Sequence, residues 1–249
     1  MLDTILNHRT IRKYKSQNIP DDLLKKILEA GTRASTTGNM QVYSIVITKD
    51  EKNKELLSPL HFNQPMVKNA PVVLTFCADF NRFNKWCKLR NAEPGYDNFL
   101  SFVTAAIDAI LVAQNVALAA EDNGLGICYL GTTIYMAKQI IEVLELPLGV
   151  IPITTLTIGY PDENPGLTDR LPLEAVIHYE KYKDYTPSDI DKFYFEKENM
   201  ELYKNFIKEN NKETLAQVFT DVRYKKTDNV AFSQALLDVL KEQGFMNNK

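Results

Sequence analysis

Apolar residues along this chain recur with two different periods, which predicts an alternation of helices and short strands. In residues 23–28 they recur at the helical spacing, and Asp21 and Asp22 fall in the first turn, where the helix dipole favours acids. We expect this helix to end near residue 31 or 34. The segment Leu2–Leu6 predicts a single helical turn near the start of the chain.

Five other segments are rich in β-branched or apolar residues, which is typical of strands. They are Tyr43–Thr48, 71–78, 127–131, 153–158 and 175–179. Residues 71–78 are almost continuously apolar, which predicts a central strand covered on both faces, whereas residues 153–158 alternate as in a half-covered strand. The last segment, 175–179, is expected to add to the sheet of a partner chain.

The segment Phe99–Asp122 is apolar or small on every side, which is typical of a buried helix at the centre of a core. Asp108, Gln114 and Asn115 would then be buried and would need hydrogen-bond partners. A later helix is expected to stop at Pro147.

Charge rises beyond residue 180, where two amphipathic helices are predicted at about 188–210 and 229–243. The polar link between these helices carries Arg223, Lys225 and Lys226. This region has little core of its own, so we expect it to pack on the main body or on a partner chain. The chain is therefore divided into a core of residues 1–180 and a helical extension of residues 181–249.

Composition limits the classes of function that the chain can have. Its 249 residues, 45% of them hydrophobic, are enough for one principal domain with an appendage, and a net charge of -3 argues against nucleic-acid or membrane binding. No apolar run approaches eighteen residues, and the first ten residues lack the apolar core of a secretory signal, so a cytoplasmic protein is expected. The three cysteines are widely spaced, and neither a metal site nor a disulfide framework is expected.

Cationic and hydroxyl-bearing side chains are concentrated in residues 8–14, with the sequence HRTIRKY. Arginine offers a planar fork of donors that suits phosphate, so this connector could bind an anion, although a solvated basic loop has the same composition. Residues 34–41 form a loop of small polar side chains that is either a second binding element or a solvated turn. The chain has no P-loop, no G-x-G-x-x-G, no H-E-x-x-H and no glycine-flanked nucleophile, so hydrolase and kinase functions have no support.

Several ordered segments resemble the nitroreductase superfamily, in particular oxygen-insensitive NADPH nitroreductases and flavin reductase P. These segments are residues 8–12, 76–82, 113–121, 124–126 and 170–172. The resemblance covers most of residues 1–180 and is weak towards the C-terminus. It implies an α+β fold with a four-stranded, mainly antiparallel central sheet flanked by helices, an intertwined homodimer with a C-terminal helical extension, and FMN bound noncovalently between the subunits.

The resemblance also implies roles for individual residues. His8 and Thr10 would meet the FMN phosphate together with Arg170. Arg12 would lie along the N1/O2 edge of the isoalloxazine, where a fixed guanidinium stabilises the negative charge that reduction creates. Gln64 would contact the pyrimidine edge of the ring.

Two further groups complete the expected site. Residues 35–41 would come from the other subunit and bond the flavin, and residues 129–132 would lie beside its dimethylbenzene and central rings. The full set of expected cofactor-binding residues is His8, Arg9, Thr10, Arg12, Ser35, Thr36, Thr37, Gly38, Met40, Gln41, Gln64, Tyr129, Leu130, Gly131, Thr132 and Arg170.

The chain departs from the family pattern at several positions. Thr168 stands where the pattern has a basic residue, and Thr132 and Ile134 stand where it has a glycine and an arginine. Because of these departures, we expect weaker binding of the FMN phosphate. Arg223 and Lys225 are candidate contacts for the nicotinamide nucleotide.

The function implied is that of an FMN-dependent NAD(P)H oxidoreductase, with NADPH or NADH as electron donor. Hydride would pass to flavin N5 and then to a nitroaromatic, quinone or free flavin in a ping-pong cycle, with no catalytic side chain. Two alternatives are a flavin-binding protein without turnover, such as a sensor or store, and a superfamily member with a different redox task. NADPH oxidation in the presence of a quinone separates the first alternative from the oxidoreductase.

Overall fold

The computed structural model describes residues 1–247, which form two compact units. The first unit contains Met1–Gly166 together with the C-terminal residues from Phe232, and the second contains Leu167–Ala231. The predicted division at residue 180 concerns where a cofactor binds, and it stays a prediction.

The first unit is built on one four-stranded sheet, as predicted. Its strands are β1 (Tyr43–Thr48), β2 (Val72–Asp79), β3 (Gly126–Leu130) and β4 (Val150–Gly159). Their order is β1-β2-β4-β3, and every neighbouring pair is antiparallel. The edges of the sheet are therefore β1 and β3.

Both inner strands are covered on both faces. All eight residues of β2 are buried, as predicted from its continuous apolar run. The prediction that residues 153–158 form a half-covered strand is wrong, because β4 begins at Val150 and lies between β2 and β3. Its threonines gave the alternating pattern, yet Thr155 and Thr157 are fully buried and bond to other side chains.

Seven helices of the first unit lie between and beside these strands. They are α1 (Leu2–Leu6), α2 (Asp21–Gly31), α3 (Glu51–Leu57), α4 (Pro65–Asn69), α5 (Asn81–Lys88), α6 (Phe99–Asp122) and α7 (Ala137–Val143). The helical periodicity of residues 23–28 correctly predicted α2, and Asp50 caps α3 by accepting from the Asn53 N–H.

Helix α6 is the central helix of the core, but it is not buried all round. Ala109, Val112 and Val116 pack in the main apolar cluster with β2 and β4, whereas Ile107 and Ile110 are 51% and 52% exposed. The exposed apolar stripe is the reason that the predicted complete burial is wrong. Among the three polar residues expected to be buried, only Asp108 is.

By length and composition, α6 is also the one helix among the described residues that could cross a membrane. Polar residues such as Asp108 and Gln114 interrupt α6, so it contains no continuous apolar run near eighteen residues, but its mean hydropathy is high enough to meet this criterion. The packing of α6 against the sheet is that of a core helix, which meets the same criterion.

The second unit is mainly helical. It contains α8 (Pro187–Asn199), α9 (Glu201–Glu209), the short α10 (Leu215–Gln217) and a π-helical turn (Val218–Arg223), and α11 (Lys226–Glu242) runs from this unit into the first. The helix predicted over 188–210 is two helices, because Met200 has extended backbone angles.

Residues 175–179 do not form the predicted strand in this chain. Ala175 ends a 3-10 turn (Leu173–Ala175), and its carbonyl oxygen accepts a hydrogen bond from the Tyr185 hydroxyl at 2.7 Å. His178 also bonds to Tyr185, at 3.2 Å. These local bonds hold the segment in a compact turn, which the β-branched composition alone did not indicate.

Candidate functional site

The basic connector of residues 8–14 lies along the free edge of strand β3. Thr10 forms a parallel bridge with Ile127, and the Ile11 N–H donates to the Ile127 carbonyl at 2.9 Å. Gly126 permits this close approach, because a Cβ there would lie 2.6 Å from the Ile11 side chain. Since the two segments run parallel, Arg12 follows Thr10 in the direction in which Tyr129 follows Ile127, so the connector and the end of β3 lie side by side.

Two carboxylates that sequence reasoning did not assign to the site contact this connector. His8 Nδ1 lies 2.7 Å from Glu121 Oε1, at the end of α6. Glu163 Oε1 accepts from the backbone N–H groups of Arg12 and Lys13, at 2.5 and 3.0 Å. The Arg12 N–H bond, with that of Lys13, holds the pKa of the Glu163 carboxyl below its usual value. An acid soon after a strand end was the only sequence signal for Glu163.

The two arginines of the connector differ in what they contact. Arg9 donates to the Asn164 side chain at 2.8 Å, and its buried Nε has no hydrogen-bond partner within the described residues. Arg12 is exposed, and within residues 1–247 its guanidinium makes neither a hydrogen bond nor an ion pair. Arg12 is therefore a cation available to a ligand, as its expected role requires.

The end of β3 combines open space with buried polar groups. A Cβ added at Gly131 would meet nothing within 4 Å, and Tyr129 is exposed, with its hydroxyl 3.4 Å from Gln114 Oε1. Leu130 points into the core, so only its backbone is available to a ligand. Thr132 is buried, and its Oγ1 lies 2.8 Å from His61 Nδ1. The space beside the Gly131 backbone is therefore open.

His61 connects this strand end to the segment that carries Gln64. It is 0% exposed, burial lowers its pKa to about 4, and its Nε2 has no hydrogen-bond partner among the described residues. His61 is consequently neutral at physiological pH. Gln64 is half-buried and precedes the first residue of α4, and its backbone N–H donates to the His61 carbonyl at 3.1 Å.

The loop of residues 35–41 has an unusual backbone that one buried carboxylate holds. Gly38, Asn39 and Gln41 have φ angles of 56°, 54° and 55°, in the left-handed region. Asp108, which is 1% exposed, accepts from the Thr37 N–H at 3.0 Å and from the Val42 N–H at 3.4 Å. Asp108 therefore fixes both ends of the stretch that contains the left-handed residues. Ser35, Thr36 and Met40 lie on the same loop, which exposes most of its side chains.

The structure does not bring this loop to the connector within one chain. The loop precedes β1 at one edge of the sheet, whereas the connector lies along β3 at the other. Asp108, which holds the loop, and Glu121, which contacts His8, are 13 residues apart on α6. At 1.5 Å per residue this is about 20 Å.

The remaining expected residues lie in the second unit. The Arg170 guanidinium donates to the carbonyl oxygens of Thr168 and Asp169, at 3.4 and 2.9 Å. Asp169 is itself held by Lys197 Nζ at 2.7 Å and by the Tyr203 hydroxyl at 2.5 Å. Of the two residues expected at the nicotinamide nucleotide, Arg223 lies over the Phe206 ring at 4.4 Å and Lys225 is exposed.

Comparison with known proteins identifies the family. The sequence profile of the nitroreductase family matches residues 5–160, which include both sheet edges and every strand. The chain belongs to the nitroreductase family. This confirms the resemblance drawn from the sequence, and with it the antiparallel α+β fold.

Individual relatives of this nitroreductase-family chain agree over most of its length. It is 36% identical to an FMN reductase (NADPH) of Bacillus subtilis over 183 residues, which are 73% of this chain and 74% of the relative. A Bacteroides fragilis protein of known structure is 60% identical, with a TM-score of 0.97 over 98% of this chain and all of that one. The NADPH:FMN oxidoreductase of Vibrio harveyi, solved with NAD+, is 28% identical, with a TM-score of 0.78 over 99% of both chains.

Proposed function

We propose that this protein is an FMN-dependent NADPH oxidoreductase that reduces small aromatic acceptors such as nitroaromatics, quinones or free flavin. Family membership and the similarity to an FMN reductase (NADPH) support the flavin and the reaction class. The observation that carries the proposal for the site is Arg12, whose guanidinium has no partner within residues 1–247 and which lies beside the open end of β3.

The donor set of the first unit fits FMN. Arg9 and Arg12 supply positive charge, Thr10 a hydroxyl group and the connector backbone N–H groups, which are the donors that a phosphate and a reduced flavin edge need. The open space at Gly131, where an added Cβ would meet nothing within 4 Å, supports the placement of the flavin ring there. In this proposal Glu121 and Glu163 orient the connector, one through His8 and the other through backbone N–H groups.

When bound, FMN supplies a ring that takes hydride from the dihydronicotinamide and passes electrons to the acceptor. The protein side chains would bind the flavin, orient it and adjust the stability of its reduced form. Arg12 would hold a positive charge at the ring edge that becomes negative on reduction, and it would do so without reorganisation. Arg170 would bind phosphate, which is present in both redox states, and Arg223 and Lys225 would meet the nicotinamide nucleotide. Residues 1–180 would thus hold the flavin, and 181–249 the extension.

We propose a cytoplasmic homodimer in which each flavin site combines the connector of one chain with the loop 35–41 of the other. Two observations support this. The α6 residues that contact the two binding elements, Asp108 and Glu121, are about 20 Å apart along the helix in one chain, and α6 exposes an apolar stripe that includes Ile107 and Ile110. Light scattering at micromolar concentration is expected to give twice the chain mass; a folded monomer that binds FMN would contradict the dimer.

The proposed function is tested by reconstitution and turnover. The purified protein is expected to be yellow and, after incubation with FMN and FAD together, to retain FMN, because no glycine-rich motif is present to bind an adenylate. NADPH is expected to be oxidised rapidly when a quinone is added. Retention of FAD, or FMN binding without NADPH oxidation, would refute the proposal, the second outcome in favour of a flavin-binding protein without turnover.

A further inference from the structure

An open cleft of about 540 Å³ lies beside the loop expected to bond the flavin, and none of the roles above involves its α5 residues. Three of its lining residues, Gly38, Asn39 and Met40, belong to that loop. The others, Arg82, Phe83 and Trp86, come from α5, which follows β2. The cleft lies entirely within the first unit.

The aromatic wall of the cleft is fixed from behind. Phe80 is buried and stacks on Tyr96 with ring centroids 4.9 Å apart. Tyr96 meets Phe83 edge to face at 5.4 Å, and Phe83 in turn lies 5.4 Å from Trp86. Trp86 is 55% exposed, so the series ends in an indole that has solvent on one side. Such a surface stacks on flat rings at little entropic cost, because its support is already ordered.

The polar side of the cleft is formed by Arg82, whose guanidinium has hydrogen-bond donors that are not used within residues 1–247. One terminal nitrogen of Arg82 donates to the carbonyl oxygens of Gln41 and Tyr43. Within residues 1–247 the other terminal nitrogen and Nε make no hydrogen bond, and the guanidinium has no carboxylate partner. A planar guanidinium with free donors favours a carboxylate, sulfonate or phosphate.

The charge around the cleft points to the same kind of ligand. The segment 79–93 has four cationic and two acidic residues, a net charge of +2, although the overall net charge of the chain is -3. Only one of the four cations, Arg82, lines the cleft itself. These cations are Arg82, Lys85, Lys88 and Arg90. None of them pairs with a carboxylate within the part of the chain that the structure describes. A local positive field on a net acidic protein attracts anions and raises their local concentration.

We propose that this cleft is the acceptor subsite and that it selects flat aromatic acceptors that carry a negative charge, with Trp86 stacking on the ring and Arg82 binding the anionic group. The identification of the ligand as the acceptor rests on the proposed function. The cleft borders Gly38 and Met40, so an aromatic compound bound there lies next to the loop expected to contact the flavin. Selectivity would then come from α5, which the family resemblance left without a role.

The test uses the FMN-loaded protein and a matched pair of probes, 4-nitrobenzoate and nitrobenzene, which share a ring and differ in charge. Trp86 is the only tryptophan of the chain, so its fluorescence reports binding directly, without NADPH and without turnover. We expect saturable quenching by 4-nitrobenzoate. Raising the salt concentration from 50 to 500 mM is expected to weaken 4-nitrobenzoate binding by about 3- to 10-fold and to leave nitrobenzene binding within about 2-fold.

Three variants separate the contributions. Arg82→Gln keeps an amide donor for the loop carbonyls and is expected to weaken 4-nitrobenzoate binding by about 10- to 100-fold, with little change for nitrobenzene. Trp86→Leu is expected to raise the KM of both probes by about 2- to 10-fold. Lys52→Gln removes an exposed charge on α3 and serves as the control; the dissociation constants and KM values of both probes are expected to stay unchanged.

The outcomes are distinct. The proposed subsite is refuted if Trp86→Leu leaves the KM of both probes unchanged. It is also refuted if salt and Arg82→Gln weaken the binding of the two probes equally. Either result holds even where the wild-type protein reduces both probes. If Arg82→Gln fails to fold, the salt dependence and Trp86→Leu still decide. If the wild-type protein oxidises NADPH with a quinone but with neither probe, the acceptor subsite is refuted and the proposed function stands. If it oxidises NADPH with neither the probes nor a quinone, the proposed function fails, and the identification of the cleft as an acceptor subsite fails with it.

Discussion

Replacing Asp108 with alanine is expected to destabilise the protein and to loosen the loop 35–41. The buried carboxylate accepts two backbone N–H groups, those of Thr37 and Val42. Hydrogen bonds to a charged group contribute about 1.5–3 kcal/mol each. The Val42 bond is long at 3.4 Å, and Thr37 is exposed, so water can replace its partner. We therefore expect a loss of about 2–4 kcal/mol, most of it from the Val42 N–H, which stays buried without an acceptor.

The conformation of the loop 35–41 is expected to change more than that of the rest of the fold. Asn39 and Gln41 hold left-handed backbone angles that cost about 1 kcal/mol or more each and persist only where surrounding contacts impose them. Without Asp108 the loop can relax to ordinary angles. FMN affinity is then expected to fall even at temperatures where the variant is fully folded.

Urea unfolding at one fixed protein concentration measures the first effect, because the midpoint of an oligomer depends on concentration. Asp108→Asn keeps one acceptor oxygen and is expected to lose about half as much as Asp108→Ala. Asp162→Ala removes an exposed carboxylate and is expected to stay within about 0.5 kcal/mol of wild type. A loss below about 1 kcal/mol for Asp108→Ala, or an equal loss for Asp162→Ala, would show that Asp108 does not fix the loop.

Three further predictions concern single side chains. Arg12→Ala is expected to slow flavin reduction by about 10- to 1000-fold and to weaken FMN binding only modestly. Arg170→Ala is expected to weaken FMN binding but to keep most of the reduction rate at saturating FMN. If stopped-flow reduction by NADPH is slower in Arg170→Ala than in Arg12→Ala, the assignment of Arg12 to the ring and Arg170 to the phosphate is refuted. Burial lowers the pKa of His61 from 6.5 to about 4, so the unfolded chain takes up the proton first and stability is lost as pH falls from 6.5 to 4. That loss is on the order of 3 kcal/mol over the window, and urea midpoints of His61→Gln should fall less steeply with pH than those of wild type. Lys197→Met leaves the Asp169 carboxylate with one donor fewer and should lower affinity for FMN more than for riboflavin, which lacks the phosphate; an unchanged ratio of the two dissociation constants would count against this role.

Local patterns in the sequence were sufficient for most elements of the fold. The helical spacing of residues 23–28 and the acids before it predicted α2, and the continuous apolar run of 71–78 predicted a central strand. These predictions succeeded because short-range packing periodicity determines them. The family resemblance added the strand directions and the cofactor, which no local pattern contains.

Long-range polar contacts could not be predicted in this way. Asp108 was expected to need a partner, but its partners lie 71 and 66 residues away in sequence. Glu163 contacts backbone groups about 150 residues earlier, and backbone donors leave no mark on a sequence. The exposed stripe of α6 was equally hidden, because an apolar side chain looks the same in sequence whether it meets a core or a partner chain.

The position of α6 between the two binding elements leads to a test of the composite site. If each site takes Arg12 from one chain and Gln41 from the other, a mixed dimer of Arg12→Ala and Gln41→Ala chains has one site with both defects and one with neither. In a two-fold symmetric dimer the purified mixed dimer is therefore expected to have about half of wild-type activity, and the unfractionated mixture, in which random pairing makes half of the dimers mixed, about one quarter. The experiment co-expresses the two variants with different tags and compares the mixed dimer with each parent. If both residues served a site within one chain, every site of the mixed dimer would carry one defect, and its activity would be the average of the parents. That average would refute the shared site while leaving the FMN chemistry intact.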